Sequence, residues 1–268
     1  MAAKKSARKV PAPTLSSKQL GEVTRLLKDL DSVELKVVVP MSDHHATVKK
    51  LGIDPVEAEP RQVFFFDTPD FALDKAGVVV RARRIQGGGA DTVVKLRPVD
   101  PAAVDAELKR SASWKTEADF VPGGYVCSGS MKGKCTGQEV FDAVAGKMPL
   151  PDLFSKEQRA FYAKHAPKGI ALRSLQAFGP IFLLKARKWS KEIGRRLVLE
   201  MWLFPDGSRN LEISTKAEPA ELFQVAEDLK AHLTGLGIEI TGNQQTKTRA
   251  AMEFFRAGLR AKPARRRR

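Results

Sequence analysis

At several places in this sequence, two basic residues are separated by one apolar residue. Arg81 and Arg83 form the first pair, and Lys95 and Arg97 form the second. Successive side chains of a β-strand point to opposite faces, so the two basic residues of each pair would share one face. A guanidinium group matches the geometry of phosphate oxygens, and an ammonium group supplies a compact positive charge. These strand faces could therefore bind a polyanion such as a chain of phosphates.

The segments that carry these pairs belong to a larger set of short apolar runs bounded by turn residues, a pattern typical of β-strands. We predict strands near residues 33–39, 62–66, 77–84, 91–97, 113–120, 181–187, 196–204 and 209–216. Helices are predicted near residues 15–30, 42–51, 135–147, 154–166, 219–236 and 244–259. Residues 121–180 are interpreted as an insertion of helices and loops between strands.

Seven of the eight predicted strands alternate apolar residues with charged ones. A single strand of this kind usually belongs to a sheet with one face in water. Here, however, several amphipathic helices also need an apolar sheet face to cover. If the helices cover the outside, the charged faces must point toward each other inside a closed or nearly closed barrel. The sequence therefore predicts a barrel with a charged lumen.

This arrangement would gather both basic residues and carboxylates in the lumen. The basic residues are Lys36, Arg81, Arg83, Lys95, Arg97, Lys115, Lys185, Arg187, Arg196 and Lys216. The carboxylates are those of Glu34, Glu117, Asp119, Glu200 and Glu212. Like charges at short distances repel one another, and a bound polyanion would relieve the repulsion. Carboxylates beside phosphate oxygens are the ligands that Mg²⁺ prefers, so the combination is typical of phosphoryl chemistry.

The chain of 268 residues has a formal net charge of +15, which predicts polyanionic partners. Residues 1–13 and 260–268 are predicted to be disordered basic tails, which would aid solubility or bind nucleic acid nonspecifically. The barrel domain between them, residues 14–259, remains basic without the tails. No apolar run approaches the roughly 20 residues of a membrane helix, so no membrane partner is expected. The two cysteines match no zinc or disulfide pattern, and a cytoplasmic location is expected.

Three segments of the sequence resemble the motifs of one protein family. The stretch from Phe65 to Arg83, FFDTPDFALDKAGVVVRAR, resembles the signature of the CYTH family. That family includes class IV adenylate cyclases and thiamine triphosphatases, and its members are also called triphosphate tunnel metalloenzymes. Ser32 to Lys36 (SVELK) resembles its Glu-x-Glu-x-Lys motif, and VKLR, ending at Arg97, resembles its Lys-x-Arg strand. The resemblance covers residues 30–255.

The resemblance implies an α+β fold in which an eight-stranded antiparallel β tunnel has a charged lumen and helices packed outside. It also implies hydrolysis of a triphosphate-containing substrate, or cyclisation of ATP, with Mg²⁺ or Mn²⁺ as the cofactor. The residues expected to bind the triphosphate are Lys36, Arg81, Arg83, Lys95, Arg97, Lys185, Arg187 and Lys216. The candidate metal ligands are Glu34, Glu117, Glu200 and Glu212, and the candidate catalytic residues are Glu34, Lys36 and Glu200.

Two positions depart from the family pattern. Ser32 stands where the family has its first Glu, and Ser214 stands where a second Glu often follows Glu212. A hydroxyl carries no charge, so the metal-binding half of the lumen is less complete than the phosphate-binding half. We therefore expect metal-dependent hydrolysis of inorganic triphosphate, short polyphosphate or an organic triphosphate. The alternatives are a non-catalytic polyphosphate- or triphosphate-binding protein, a class IV adenylate cyclase-like activity, for which no residue indicates an adenine site, and a basic nucleic-acid-binding protein.

Overall fold

The computed structural model describes residues 16–240 and 247–261, and in the second range it describes the side chains of 250–258. Within these ranges the chain forms nine β-strands: β1 (Ser32–Val39), β2 (Glu59–Asp67), β3 (Val78–Ile85), β4 (Ala90–Leu96), β5 (Trp114–Val121), β6 (Gly124–Cys135), β7 (Gln176–Ser190), β8 (Arg195–Leu203) and β9 (Arg209–Ala217). The α-helices in the same ranges are α1 (Ser17–Leu26), α2 (His44–Lys50), α3 (Ala72–Lys75), α4 (Ala106–Arg110), α5 (Gly137–Val144), α6 (Lys156–His165), α7 (Leu222–Gly235) and α8 (Lys247–Ala261). Short 3₁₀ segments occupy Leu27–Asp29, Met41–Asp43, Pro55–Glu57, Pro101–Ala103, Leu150–Leu153, Leu172–Ser174 and Pro219–Glu221.

The six helices predicted from the sequence correspond to α1, α2, α5, α6, α7 and α8, and two short helices are additional. The predicted tails lie outside the described residues, except that α8 continues to Ala261. Of the helices in the described ranges, none has the length and apolar composition needed to cross a membrane.

The strand β1 closes the sheet into a barrel by pairing with two strands that are distant in sequence. The strand order is β1-β5-β6-β4-β3-β2-β7-β8-β9, and β9 pairs with β1. All neighbouring strands are antiparallel except β1 and β5, which run parallel. The predicted α+β barrel is therefore confirmed, but it has nine strands among the described residues rather than eight, and it is not entirely antiparallel.

The ninth strand, β6, lies in the segment that the sequence pattern indicated to be helices and loops. It pairs with β5 on one side and with β4 on the other. Its glycines conceal the strand in the sequence, since glycine is uncommon in strand interiors. A Cβ atom at Gly129 would overlap the Trp114 ring, and one at Gly133 would overlap Gln158 Oε1. Glycine is therefore required at both positions because large side chains lie directly against the β6 backbone.

Two apolar layers separate the barrel wall from the outer helices. Leu35 of β1 belongs to the same buried cluster as Val23 of α1 and Leu229 of α7. Val80 of β3 belongs to a second buried cluster that includes Phe161 of α6. Burying a large apolar side chain contributes about 1.5–3 kcal/mol. Because most apolar residues of the strands face these layers, the charged residues that alternate with them face the lumen.

The helix α6 is fixed to the barrel by a buried glutamine. The side-chain amide of Gln158 donates hydrogen bonds of 3.1 Å to the carbonyl oxygens of Thr92 in β4 and Met131 in β6. Its oxygen accepts a hydrogen bond of 2.9 Å from the Thr92 hydroxyl. Ser155 caps the helix by accepting from the Gln158 backbone N–H. Because a buried amide needs all these partners, the first turn of α6 is held beside the lumen.

The helix α8 packs against an apolar part of the lumen. Ala251 and Met252 belong to one buried cluster with Phe65 of β2, Ile181 of β7 and Trp202 of β8. The Trp202 side chain also lines the cavity inside the barrel. This cluster therefore forms an apolar floor beneath the charged part of the lumen.

Candidate functional site

The barrel encloses a cavity of about 950 Å³ whose wall is mostly charged. The basic side chains that line it are Lys36, Arg81, Arg83, Lys95, Arg97, Lys132, Lys134, Lys156, Lys185 and Lys216. The acidic side chains that line it are Glu34, Asp91, Glu117, Asp119, Glu157 and Glu200. Positive charges therefore outnumber negative ones in the cavity wall, and a concave surface of one predominant sign attracts ligands of the opposite sign.

Most of the site residues predicted from the sequence line this cavity, and two do not. Arg187 lies outside it, with its guanidinium 3.6 Å from Glu59 and its side chain 39% exposed. Glu212 is buried behind the cavity surface. Lys115 and Arg196, which were also expected in the lumen, are exposed. Each is the second residue of its strand, so its side chain lies near the barrel rim, where alternation no longer ensures burial.

The ammonium of Lys36 lies among three carboxylates, which we call the acidic cluster: Glu34, Asp119 and Glu212. Lys36 Nζ lies 3.1 Å from Glu34 Oε2, 3.0 Å from Asp119 Oδ1 and 4.0 Å from Glu212 Oε1. Burial lowers the pKa of Lys36, but the attraction of the three carboxylates is larger, so the pKa lies above its ordinary value. Lys36 therefore stays charged across the physiological pH range.

The pairing of β1 with its two neighbours creates this cluster. The parallel register places Glu34 beside Asp119 of β5. On the other side of β1, the antiparallel register places Lys36 beside Ser214 and Val38 beside Glu212 of β9. Asp119 was expected in the lumen but was not identified as a site residue, because nothing in the sequence indicates a parallel pairing of β1 with β5.

Three other carboxylates of the cavity wall, those of Asp91, Glu117 and Glu200, are also paired with cations of the protein. The shortest side-chain distances are those of Arg97–Asp119 (2.5 Å), Arg83–Asp91 (2.6 Å), Lys216–Glu117 (2.8 Å), Lys185–Glu200 (2.9 Å) and Lys132–Glu117 (3.1 Å). Burial raises the pKa of Glu117, but Lys216 and Lys132 outweigh this effect and lower it to about 2. Glu117 therefore carries its negative charge at neutral pH, and its carboxylate already holds basic side chains of the protein.

The positive charges of two basic residues in the cavity wall are balanced less well by nearby carboxylates. Burial lowers the pKa of Lys95 to about 8, and Lys95 forms no ion pair with any described residue. Burial and the neighbouring Arg83 lower the pKa of Arg81 to about 10. Arg81 Nε has no hydrogen-bond partner among the described residues, and Asp91 Oδ1 is 4.0 Å from Arg81 Nη2. Both cations therefore lie in positions where an additional negative charge would be stabilising.

The lumen carboxylates do not fit a divalent metal ion as they are arranged. In the part of the chain that the structure describes, no three His, Cys, Asp or Glu side chains are grouped so that they could hold a metal. Ser32 donates a hydrogen bond of 3.4 Å to Glu117 Oε1 and adds no charge, and Ser214 is buried beside Lys36. The Mg²⁺ or Mn²⁺ that the resemblance implies therefore has no preformed site among Glu34, Glu117, Glu200 and Glu212.

Several residues that the sequence analysis did not assign to the site also line the cavity. Lys132 and Lys134 lie on β6, and Lys156 begins α6. The segment Lys132-Gly133-Lys134 repeats the two-residue spacing of the other basic pairs, and this was the signal that could have identified it. The intervening glycine concealed it, because glycine usually indicates a loop.

We compared the whole chain with known protein families, curated sequences and solved structures, and the solved structures agree with this architecture. No family model matches the chain, and no curated protein sequence matches it. Solved structures do match. HpAC1 from Hippeastrum, a candidate adenylyl cyclase that reveals a dominant triphosphatase activity, has a TM-score of 0.60 and 17% sequence identity, with 84% of this chain and 95% of that chain covered. A candidate adenylate cyclase from Bacillus halodurans has a TM-score of 0.56 and 15% identity, with 81% of this chain and 96% of that chain covered.

This chain shares their fold. The match extends over most of both chains and is not confined to a single motif. It confirms the tunnel fold that the CYTH resemblance implied, with the charged lumen inside and helices outside.

Proposed function

We propose that the lumen binds a chain of phosphates, as in inorganic triphosphate, a short polyphosphate or an organic triphosphate, and that the protein hydrolyses the terminal phosphoryl group. The observation that carries this proposal is the pair of cations Arg81 and Lys95, which line the cavity with too little negative charge nearby. A phosphate chain would supply that charge. Hydrogen bonds to charged groups contribute about 1.5–3 kcal/mol each.

The strand register supports a linear ligand. In the antiparallel pair of β3 and β4, Arg81 lies beside Val93, Arg83 beside Asp91, and Lys95 beside Val79. The inward-facing basic residues therefore form two adjacent rows along the barrel wall. A linear polyanion lying along these rows would be contacted at several phosphate groups, whereas a single phosphate would contact only some of them.

Hydrolysis requires a water molecule to attack the terminal phosphorus while the bond to the next bridging oxygen breaks. The basic rows would hold the phosphates in place and stabilise the charge that develops on the leaving group. Glu200 is the candidate base, and its carboxylate contacts Lys185 at 2.9 Å. When a phosphate oxygen binds Lys185, Glu200 gains the capacity to accept the proton of the attacking water. The dominant triphosphatase activity of HpAC1 supports this reaction over cyclisation.

Binding without hydrolysis is the second candidate function. The observation that favours it is the acidic cluster, in which Lys36 lies among the carboxylates and serine replaces glutamate at positions 32 and 214. In such a protein the basic rows would be unchanged, and only the activation of water would be lost. The two functions therefore differ in turnover and not in affinity.

Phosphate release by the purified protein tests the proposal. The substrates are tripolyphosphate, thiamine triphosphate, ATP and short polyphosphate, each with Mg²⁺, Mn²⁺ or a chelator, and the melting temperature is measured under the same conditions. Turnover with one of these compounds would establish the hydrolase and its substrate. A rise in melting temperature without turnover would establish the binding protein, and the absence of both effects would contradict the proposal.

Two adjacent arginines provide a matched pair of variants. Arg83 faces the lumen and contacts Asp91, whereas Arg84 points away from it and lies 4.3 Å over the Phe141 ring. Arg83→Ala should abolish the shift in melting temperature that tripolyphosphate causes, and Arg84→Ala should retain it. Equal responses of the two variants would mean that the anion binds outside the barrel.

A further inference from the structure

The acidic cluster already contains a cation. Lys36 Nζ lies within 4.0 Å of oxygens from Glu34, Asp119 and Glu212, which come from three neighbouring strands. Arg97 contacts the second oxygen of Asp119 at 2.5 Å. The negative charges of the cluster are therefore balanced mainly by two side chains of the protein itself, Lys36 and Arg97.

A divalent ion would have to share this space with the ammonium. Carboxylate oxygens bind Mg²⁺ at about 2.0–2.1 Å, so an ion held by Glu34 and Asp119 would lie close to Lys36 Nζ. Two cations at such a distance repel strongly where little water is present to screen them. Lys36 is held in place because its side chain is 11% exposed and its strand is hydrogen-bonded on both sides.

We propose that the Lys36 ammonium takes the place of a divalent cation in the acidic cluster, so that the tunnel binds a phosphate chain with no metal ion in that cluster. This inference rests on the proposed function, since it concerns how the same lumen balances its charge. It also has a consequence that does not depend on the phosphate ligand. Removing the ammonium leaves Glu34 and Asp119 without the cation that lies between them, and two carboxylates together with water molecules can bind a divalent ion.

The first test is calorimetric titration of tripolyphosphate into the full-length protein, once with EDTA and once with Mg²⁺. We expect the Kd measured with EDTA to be at most about threefold higher than the Kd measured with Mg²⁺. Binding that is weakened further by EDTA would overturn the inference and leave the proposed function intact. The absence of binding in both conditions would overturn the inference together with the proposed function.

The second test measures metal binding directly and needs no phosphate. Mn²⁺ should leave the melting temperature of the wild-type protein unchanged and should raise that of Lys36→Met. Electron paramagnetic resonance of Mn²⁺ should detect bound ion in the variant only. Lys36→Gln replaces Lys36→Met if the latter does not fold.

The control for this test is Lys216→Met. Lys216 also contacts a lumen carboxylate, Glu117 at 2.8 Å, but that carboxylate lies outside the acidic cluster. Lys216→Met should therefore remain insensitive to Mn²⁺. Specific Mn²⁺ binding by the wild-type protein, or equal Mn²⁺ binding by the two variants, would contradict the proposed role of Lys36.

Discussion

The two walls of the lumen differ in how well their charged side chains are compensated by neighbouring groups of opposite charge. The acidic wall consists of Glu34, Glu117 and Asp119 on β1 and β5, with Glu212 of β9 buried behind them, and the basic wall consists of Arg81, Arg83 and Lys95 on β3 and β4. In the acidic wall, cations of the protein contact the carboxylates directly. In the basic wall, burial lowers the pKa of Arg81 and of Lys95, and no nearby carboxylate compensates them fully.

This difference separates what stabilises the fold from what binds a ligand. Ion pairs in the acidic wall exist without a ligand, so they contribute to the folded state itself. Holding Arg81 and Lys95 charged in the basic wall opposes folding, and a bound anion would offset that cost. Perturbed ionisable groups of this kind are characteristic of functional sites. The acidic wall is therefore expected to control stability, and the basic wall is expected to control affinity.

The largest expected effect is on stability. Lys36→Met leaves buried carboxylates without their central cation and should lower the free energy of unfolding by about 3–5 kcal/mol. Lys95→Met removes a charge that burial disfavours, so it should leave the free energy of unfolding unchanged or raise it. Urea denaturation at pH 7 measures both values. Equal losses of stability in the two variants would mean that the walls do not differ.

The next effect is on affinity. Arg81→Met should weaken tripolyphosphate binding by about 1.5–3 kcal/mol, because it removes a charged donor from the basic wall. Arg187→Met should leave binding nearly unchanged, since Arg187 lies outside the cavity beside Glu59. Calorimetry gives both affinities. A comparable loss in the two variants would place the phosphate chain at the barrel rim instead of along β3.

The pH dependence of binding should arise from Lys95. Its pKa is lowered from 10.5 to about 8 in the folded protein, whereas the unfolded chain retains the ordinary value. Between these two values the unfolded chain binds more protons, so this residue makes stability rise with pH. A bound anion requires the charged form, so affinity should fall as the pH rises through about 8.

The groups that act on Lys95 are Asp119, Arg97, Glu117 and Arg81. Lys95→Arg keeps its charge at every pH used and should show a weaker loss of affinity between pH 7 and pH 9. Any pH dependence of the phosphate chain itself is common to both proteins, so the difference between their profiles isolates Lys95. Identical profiles would exclude Lys95 from the binding site.

The smallest effect should come from Glu117. Glu117→Gln removes the partner of Lys132 and Lys216, which then become available to a phosphate chain. The gain in affinity should be small, about threefold at low salt, because these lysines are 44% and 59% exposed and are screened by water. Titrations at low and high salt measure it, and the gain should disappear at high salt. A loss of affinity would instead assign Glu117 to ligand binding.

Much of the basic wall could be predicted from the sequence. Arg81, Arg83, Lys95 and Arg97 are two apart on strands with a regular apolar alternation, and such spacing alone places them on one face. The strand β6 could not be predicted, because Gly129 and Gly133 resemble loop residues until Trp114 and Gln158 are seen against them. The lumen positions of Lys132 and Lys134 were therefore missed.

The sequence by itself determined which side chains share one face of a strand, because the two-residue period of a strand is a local property of the backbone. Only the tertiary structure decided which charges meet. Glu34 lies next to Asp119 because β1 pairs in parallel with β5, and Lys36 reaches Glu212 because β1 also pairs with β9. Strand pairing between distant segments depends on the packing of the whole barrel. The charge balance of each wall therefore follows from that packing and not from any local motif.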